Sequence, residues 1–466
     1  MKDGFIKAAS ASPVIKVADT EYNAQRVIET IKAADEMGVK MLVFPELVLT
    51  GCTCYDLTGH NVVLRGAKKA LLEVIAASEG VDMLVFVGLP IAVGSRLYSC
   101  AAAIYDGELL GLVPRENVRG TQFAEPADSY VEVEIDAEHV AVLSTDYVFT
   151  CAALPDLKVA AELGADIDVL VPPSVRHAQA GATVIAQLAS FPETVTSADE
   201  AELTLRSQSR RLHCGMIMAA PGKGESTTDN VFSGLCMIAE NGEILAASEC
   251  ENSMAVTELD VEYIVNTRRG SDDFDLDSDE YYEAVWGGEP VETELTRSYR
   301  KYPHLPANEA DMPAYCERML DIQVSGLVKR MQYAGLDHCV VGISGGVDST
   351  LAVMVSAMAV KKLGLPSTNV VACTMPCFGT SSRTKSNAIV VAEQLGAEVR
   401  VIDIGKSVYQ HFDDIGHAHD DYSIAFENAQ ARERTQVLMD IANKLTGLDV
   451  GTEDLSEFID GWCTYN

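Results

Sequence analysis

At 466 residues the chain is longer than one hydrophobic core usually serves, so two domains are expected. Its 35 basic against 69 acidic side chains leave a formal charge of −34, which repels nucleic acid and anionic membranes and requires any phosphate site to be built locally. The apolar runs are too short to span a bilayer, no export signal opens the chain, and twelve cysteines without a C-x-x-C pair read as reduced cytoplasmic thiols, which argues against a metal site.

From Phe5 to about Asn266, the apolar runs Met41–Phe44, Met83–Val87, Ala102–Tyr105, Val140–Leu143, Met216–Ala219 and Gly234–Ile238 alternate with amphipathic stretches such as Asn23–Met37 and Ala67–Ala77. That rhythm predicts a layered α/β domain over residues 1–266. Residues 267–308 turn acidic and punctuated, with the run Ser271–Glu280 and then Gly287-Gly288-Glu289-Pro290, and read as a linker or surface excursion. A second domain is expected over 309–466. There a long helical segment from Met312 leads to the apolar strand Cys339–Ile343, a glycine-rich turn and the helical run Ser349–Leu363.

Strand, loop and helix in that order are the setting for a phosphate-binding loop. The turn itself is Ser344-Gly345-Gly346-Val347-Asp348-Ser349. Two glycines let the backbone approach an anion closely, the helix N-terminus offers free N–H groups, and the serines add hydroxyl donors. A plain glycine turn capped by Asp348 or Ser349 is the structural alternative. Asp348 reads either as a capping carboxylate or, beside a polyphosphate, as a Mg²⁺ ligand.

Ser-Gly-Gly-x-Asp-Ser resembles the pyrophosphate loop of the ATP-pyrophosphatase enzymes. Thr374–Thr384, Glu427–Thr435, Gly451–Glu457 and Gly461–Asn466 together resemble the glutamine-dependent NAD synthetases. That resemblance implies a Rossmann-like (adenine nucleotide alpha hydrolase-like) parallel-sheet domain. It implies that ATP contacts Ser344, Gly345, Gly346, Asp348, Ser349, Met375, Arg383 and Thr452. Deamido-NAD would meet Asn428, Gln430, Arg432 and Arg434, and Mg²⁺ would sit on Asp348 and Glu457. Taken alone, Arg432 and Arg434 could be a solvated helix face, and Asn428 and Gln430 surface polar residues. Cys377 and Glu453 stand where the family usually has glycine, and Glu453 adds negative charge near a triphosphate. The family pattern continues past Asn466, so the resemblance also implies a C-terminally incomplete synthetase domain.

The first domain resembles nitrilases, with an α-β-β-α sandwich implied, through Leu42–Gly51, Gly224–Asp229 and Glu240–Gly242. Amide hydrolysis of that type needs a carboxylate base, an oxyanion-stabilising lysine and a cysteine nucleophile. Glu46 fills the first role. Arg115 stands at the lysine position after Val113-Pro114, and its planar fork does not replace a compact ammonium. In the frame Glu162-Leu163-Gly164-Ala165-Asp166 leading to Pro172-Pro173-Ser174, Gly164 falls on the cysteine position, and Gln187–Phe191 replaces a serine-bearing stretch. Cys52 and Cys151 are the two cysteines near enough to be weighed as relocated nucleophiles. An independent nitrilase acting on another amide conflicts with Gly164.

The expectation is therefore an ATP- and Mg²⁺-dependent ligase that amidates deamido-NAD to NAD through an adenylylated intermediate. Its nitrogen would come from ammonia, where the family uses glutamine, and its amidase domain would be inactive. A homo-oligomer in the cytoplasm is implied, without nucleic-acid or membrane partners. The alternative is a catalytically inactive nucleotide-binding paralogue or partner subunit.

Overall fold

Alternation of apolar side chains on the first strands dictates a sheet buried on both faces. Ile6, Ala8, Met41, Val43, Leu84 and Phe86 point to one side, and Ala9, Ala11, Leu42, Phe44, Val85 and Val87 to the other. A computed structural model describes residues 2–126, 130–249, 252–274, 281–288, 290–378 and 382–461, with side chains at all of these except 382–386 and 388. It divides the chain into two compact units, Met1–Ser298 and Tyr299–Asn466.

Unit 1 contains an eight-stranded and a seven-stranded sheet. In the first, strand Phe5–Ser12 runs parallel to Met41–Val43, which runs parallel to Leu84–Val93, and antiparallel hairpins extend the sheet from there. In the second, Leu154–Leu163, Val184–Leu188 and Gly215–Ala219 run parallel. The sheets face each other across a core that includes Phe86, Phe149, Val159, Leu163 and Ile217. Helices Thr20–Glu36 and Asn61–Ala77 cover the first sheet with Val27, Ile31, Leu71 and Val74. Pro173–Gln179 and Ser197–Leu212 cover the second. This is the four-layer α-β-β-α sandwich.

The stretch 267–308 departs from the expected linker or surface excursion at two places. Strand Tyr282–Trp286 pairs with Tyr147–Cys151 as an edge of the second sheet, and Trp286 is buried, with Nε1 donating to the Phe149 carbonyl at 3.1 Å. Further on, Arg297 forks onto the buried Glu240 and Thr296 bonds to the buried Glu258. Acid-rich composition misleads here because the strand ends on the buried Trp286, while Glu283 accepts from the Thr150 hydroxyl of the neighbouring strand at 2.7 Å.

Unit 2 is a four-stranded parallel sheet in the order Glu398–Val401, Val370–Thr374, His338–Gly342, Gly447–Asp449. Met331, Val353, Val360 and Ala392 pack on one face, and Val408, Phe412, Phe426 and Ala442 on the other. Helices on both faces of a parallel sheet make it Rossmann-like, with ligand sites expected beyond the C-terminal strand ends.

Candidate functional sites

The three positions of the expected amidase triad converge in unit 1. Glu46 follows Met41–Val43 in a tight turn at Pro45–Leu47, where Leu47 takes φ +58°. Gly88 on the neighbouring strand allows that turn, because a Cβ there would lie 2.4 Å from both the Leu47 nitrogen and the Pro45 oxygen. Arg115 follows strand Glu108–Pro114, and Gly164 begins the helical turn at the end of Leu154–Leu163 with φ +53°.

Glu46 is 1% exposed and accepts from Ser99 Oγ at 2.6 Å and from Arg115 Nη1 at 3.2 and 3.3 Å. Arg115 Nε donates to the Asn117 carbonyl at 2.8 Å. On the opposite sheet, Gln187 Nε2 donates to the Gly164 carbonyl at 2.9 Å. Asp166 ties the layers together by accepting from the backbone N–H groups of Leu163, Glu116 and Asn117. Burial nevertheless raises its carboxyl to about 6, and burial pushes Glu162 up to about 8. Sequence reasoning missed Ser99 and the bracketing role of Asp166; an aspartate two residues past a glycine turn is the one signal that could have marked the latter.

A cleft of about 420 Å³ opens onto this centre, lined by Glu46, Cys52, Arg115, Ser190, Asn230 and Phe232 among others. Its rim at Cys52–Thr53 is anchored by Glu225, which accepts from the Cys52 and Thr53 N–H groups at 2.8 and 3.0 Å and from the Thr53 hydroxyl. The Cys52 thiol is pushed far up, first by burial and then by Glu225 and Glu46. Cys151 is raised too, chiefly by burial, and Cys100 beside Glu46 likewise. A nucleophile must be a thiolate, so neither of the two cysteines weighed as relocated nucleophiles is activated.

In unit 2 the expected phosphate loop joins strand His338–Gly342 to helix Val347–Lys362, and Gly345 takes φ +83°. The helix N-cap is Gly346, so Asp348 is the second residue of the first turn, exposed, rather than the cap. The Ser344 and Ser349 hydroxyls lie 3.1 Å apart, and the Gly346 N–H donates to Ser344 Oγ at 3.2 Å. Met375 is buried just after the adjacent strand and accepts from Arg434 Nε at 3.3 Å. Asp449 ends the other neighbouring strand, its carboxyl raised to about 6 by burial and by Glu453.

Helix Ile424–Leu445 carries the four residues expected at deamido-NAD and divides them. Gln430 is buried, with its amide on the Phe426 carbonyl, and Arg434 one turn on is partly buried; Asn428 and Arg432 are exposed. Residues two apart on a helix point to nearly opposite sides, so these pairs serve different faces. Thr452 is partly buried. Glu457 closes a capping box with Asp454, its carboxylate accepting from the Asp454 N–H at 3.1 Å. Among the described residues, no three His, Cys, Asp or Glu side chains are grouped to hold a metal. The Arg383 side chain and residues 462–466 lie outside the described residues.

Residues 7–269 match the carbon-nitrogen hydrolase family and residues 319–466 the NAD synthase family. The protein is thus an amidase-type domain followed by a synthetase domain. The glutamine-dependent NAD(+) synthetase of Mycobacterium tuberculosis strain H37Rv is 33% identical over 485 residues, covering 99% of this chain and 71% of the relative. The enzyme of the same description from Thermotoga maritima is 25% identical, covering 100% and 76%. A solved glutamine-dependent NAD+ synthetase from Acinetobacter baumannii superposes with a TM-score of 0.46 at 20% identity, covering 98% of this chain and 76% of that one. The chain belongs to the glutamine-dependent NAD(+) synthetase family, the ligases of NAD biosynthesis that form a C–N bond.

Proposed function

We propose that this chain amidates deamido-NAD to NAD with ATP and Mg²⁺, taking its nitrogen from ammonia, and that its amidase-type domain does not hydrolyse glutamine. The observation that carries the second part is Gly164. The position facing the base Glu46 has no side chain, and the thiols of Cys52, Cys100 and Cys151 are all held protonated. Covalent amide hydrolysis needs an attacking atom, and loss of a covalent nucleophile costs on the order of a millionfold in a well-studied protease.

For the synthetase, the nicotinate carboxylate of deamido-NAD would attack the α-phosphate of ATP, pyrophosphate would leave, and ammonia would displace AMP. Gly345, Gly346 and the helix N-terminus at Val347 suit the pyrophosphate, with the Ser344 and Ser349 hydroxyls turning from each other to its oxygens. Mg²⁺ on a nucleotide commonly takes one or two carboxylates plus phosphate oxygens, and the exposed Asp348 fits that use. Glu457 fits it once it leaves its capping box. The partly buried Arg434 and Gln430 define the face of helix Ile424–Leu445 nearest Met375, and the deamido-NAD role falls to them before Asn428 and Arg432. No helix among the described residues is long and apolar enough to cross a membrane. Soluble nucleotides as substrates suit the cytoplasm, and the homo-oligomer rests on the family resemblance alone.

The test is NAD formation from deamido-NAD, ATP and Mg²⁺ with ammonium in one vessel and glutamine in another. Product from ammonium alone is expected. Product from glutamine would overturn the reading of Gly164, and no product in either would favour a nucleotide-binding paralogue.

A further inference from the structure

Gly164 is not simply an empty position. An ideal Cβ built on it would lie 2.5 Å from Arg115 Nη1, 2.6 Å from Arg115 Cζ and 2.5 Å from Glu46 Oε2. Contacts that short demand movement, and neither neighbour is free to move. Arg115, with a side chain 11% exposed, is pinned by the Asn117 carbonyl and by both Glu46 oxygens. Glu46 is pinned in turn by Ser99. Shifting either one would break an ion pair that water scarcely reaches, and a buried charge left without its partner is strongly destabilising.

We propose that Arg115 is the positioning residue that closes this centre: its guanidinium occupies the space over residue 164 and holds Glu46, so the residues at 115 and 164 are coupled and only glycine fits opposite arginine. A lysine ends in one nitrogen at about the reach of Cζ, without the Nη atoms that lie beyond it, and its flexible stem can turn that nitrogen away from the Cβ position. Lysine at 115 would therefore leave room for a side chain at 164, and arginine does not. Glu46 at the base position and Arg115 at the lysine position become a fixed bracket, with the cleft left open above it. The inference rests on the reading that this domain does not hydrolyse amides, and it adds that Gly164→Cys alone would not reopen the chemistry.

A double-mutant cycle on the full chain tests the coupling through the melting temperature of unit 1. Gly164→Ala carries three costs, the left-handed φ of +53°, the overlap with Arg115 and the overlap with Glu46 Oε2. The backbone cost is the same whatever stands at 115, whereas Arg115→Lys removes the overlap with Nη1 and the two Nη1 bonds that hold the Glu46 carboxylate against residue 164, so that Oε2 can turn aside. The drop in melting temperature caused by Gly164→Ala is expected to fall by at least half in the Arg115→Lys background. An equal drop in both backgrounds overturns the proposal. Should Gly164→Ala fail to fold, a folded Arg115→Lys/Gly164→Ala protein supports the coupling, and failure of both overturns it. Glutamine hydrolysis by the unaltered protein is assayed alongside. Its appearance would sink the underlying reading of the domain, whatever the cycle returns.

Discussion

In unit 1 the position expected to carry the nucleophile is filled by its own neighbours, whereas in unit 2 the loop proposed to hold phosphate bonds to itself and stays exposed. Glu46, Arg115 and Ser99 form a closed set over Gly164. Ser344, Gly346 and Ser349 form a set that a polyphosphate could enter by replacing weak hydroxyl contacts. The difference lies in what each site is made of. A covalent site depends on one side chain, and its removal can be absorbed by neighbours of suitable shape. An anion site made of backbone N–H groups has no single atom whose loss would empty it, provided the glycines remain.

The sharpest way to break that comparison is to strike both sites in the same assay. Asp348→Ala is expected to lower ammonium-dependent NAD formation at least about a hundredfold, the scale for losing one preorganised electrostatic partner of a developing charge. Glu46→Gln keeps the acceptor for Ser99 but leaves the Arg115 charge unpaired and so costs stability; per folded molecule it should change that rate less than about twofold if the amidase-type centre contributes no step. Steady-state rates with saturating ATP settle it, and a large loss from Glu46→Gln would mean that the first unit takes part in synthesis.

Much of this architecture was legible in the sequence because it follows from period and punctuation. The strand before Ser344 and the helix after it fall within one or two residues of expectation, since an apolar run and two glycines leave few alternatives. The convergence of Glu46, Arg115 and Gly164 was also foreseeable, but only through likeness to an amidase frame. The overlap at Gly164 was not, since it depends on where Arg115 lies in space. The splitting of Asn428 and Arg432 from Gln430 and Arg434 follows from a spacing of two on a helix, but which pair faces inward does not. Residues 267–308 misled most, through charge. Trp286→Ala tests that point: loss of about 3 to 5 kcal/mol from unit 1, read in urea unfolding, is expected for a buried aromatic that completes the sheet edge. A loss below about 1 kcal/mol would restore the linker reading.

A smaller effect separates the buried acids of unit 1 from the exposed carboxylate of unit 2. Glu162 is raised to about 8 from 4.5, so between those values the folded state holds a proton that the unfolded chain has released. Stability therefore falls as pH rises through that window and levels off above it. Asp166 acts with the same sign but is finished near 6. His177, lowered to about 3 by burial, acts with the opposite sign and adds nothing above 6.5. The interval from pH 6.5 to 8 thus isolates Glu162. Urea midpoints of unit 1 should decline across it in the unaltered protein and stay flat in Glu162→Gln, and a decline of equal slope in both would remove Glu162 as the cause.

The smallest expected effect concerns the cleft that remains. Cys52 lies on its wall, and a thiol in open contact with water would be alkylated readily at pH 8. Burial and the carboxylates of Glu225 and Glu46 all disfavour its thiolate, which is the reacting form. Iodoacetamide should therefore label Cys52 at least about tenfold more slowly than a free cysteine at the same pH, as followed by peptide mass. Glu225→Gln removes one of the two charges but keeps an acceptor for the Thr53 N–H, so it should quicken labelling by only a few-fold, burial being the larger cause. Rapid labelling of the unaltered protein would show instead an activated thiol beside Glu46, and the contrast between a closed first centre and an open second one would no longer hold.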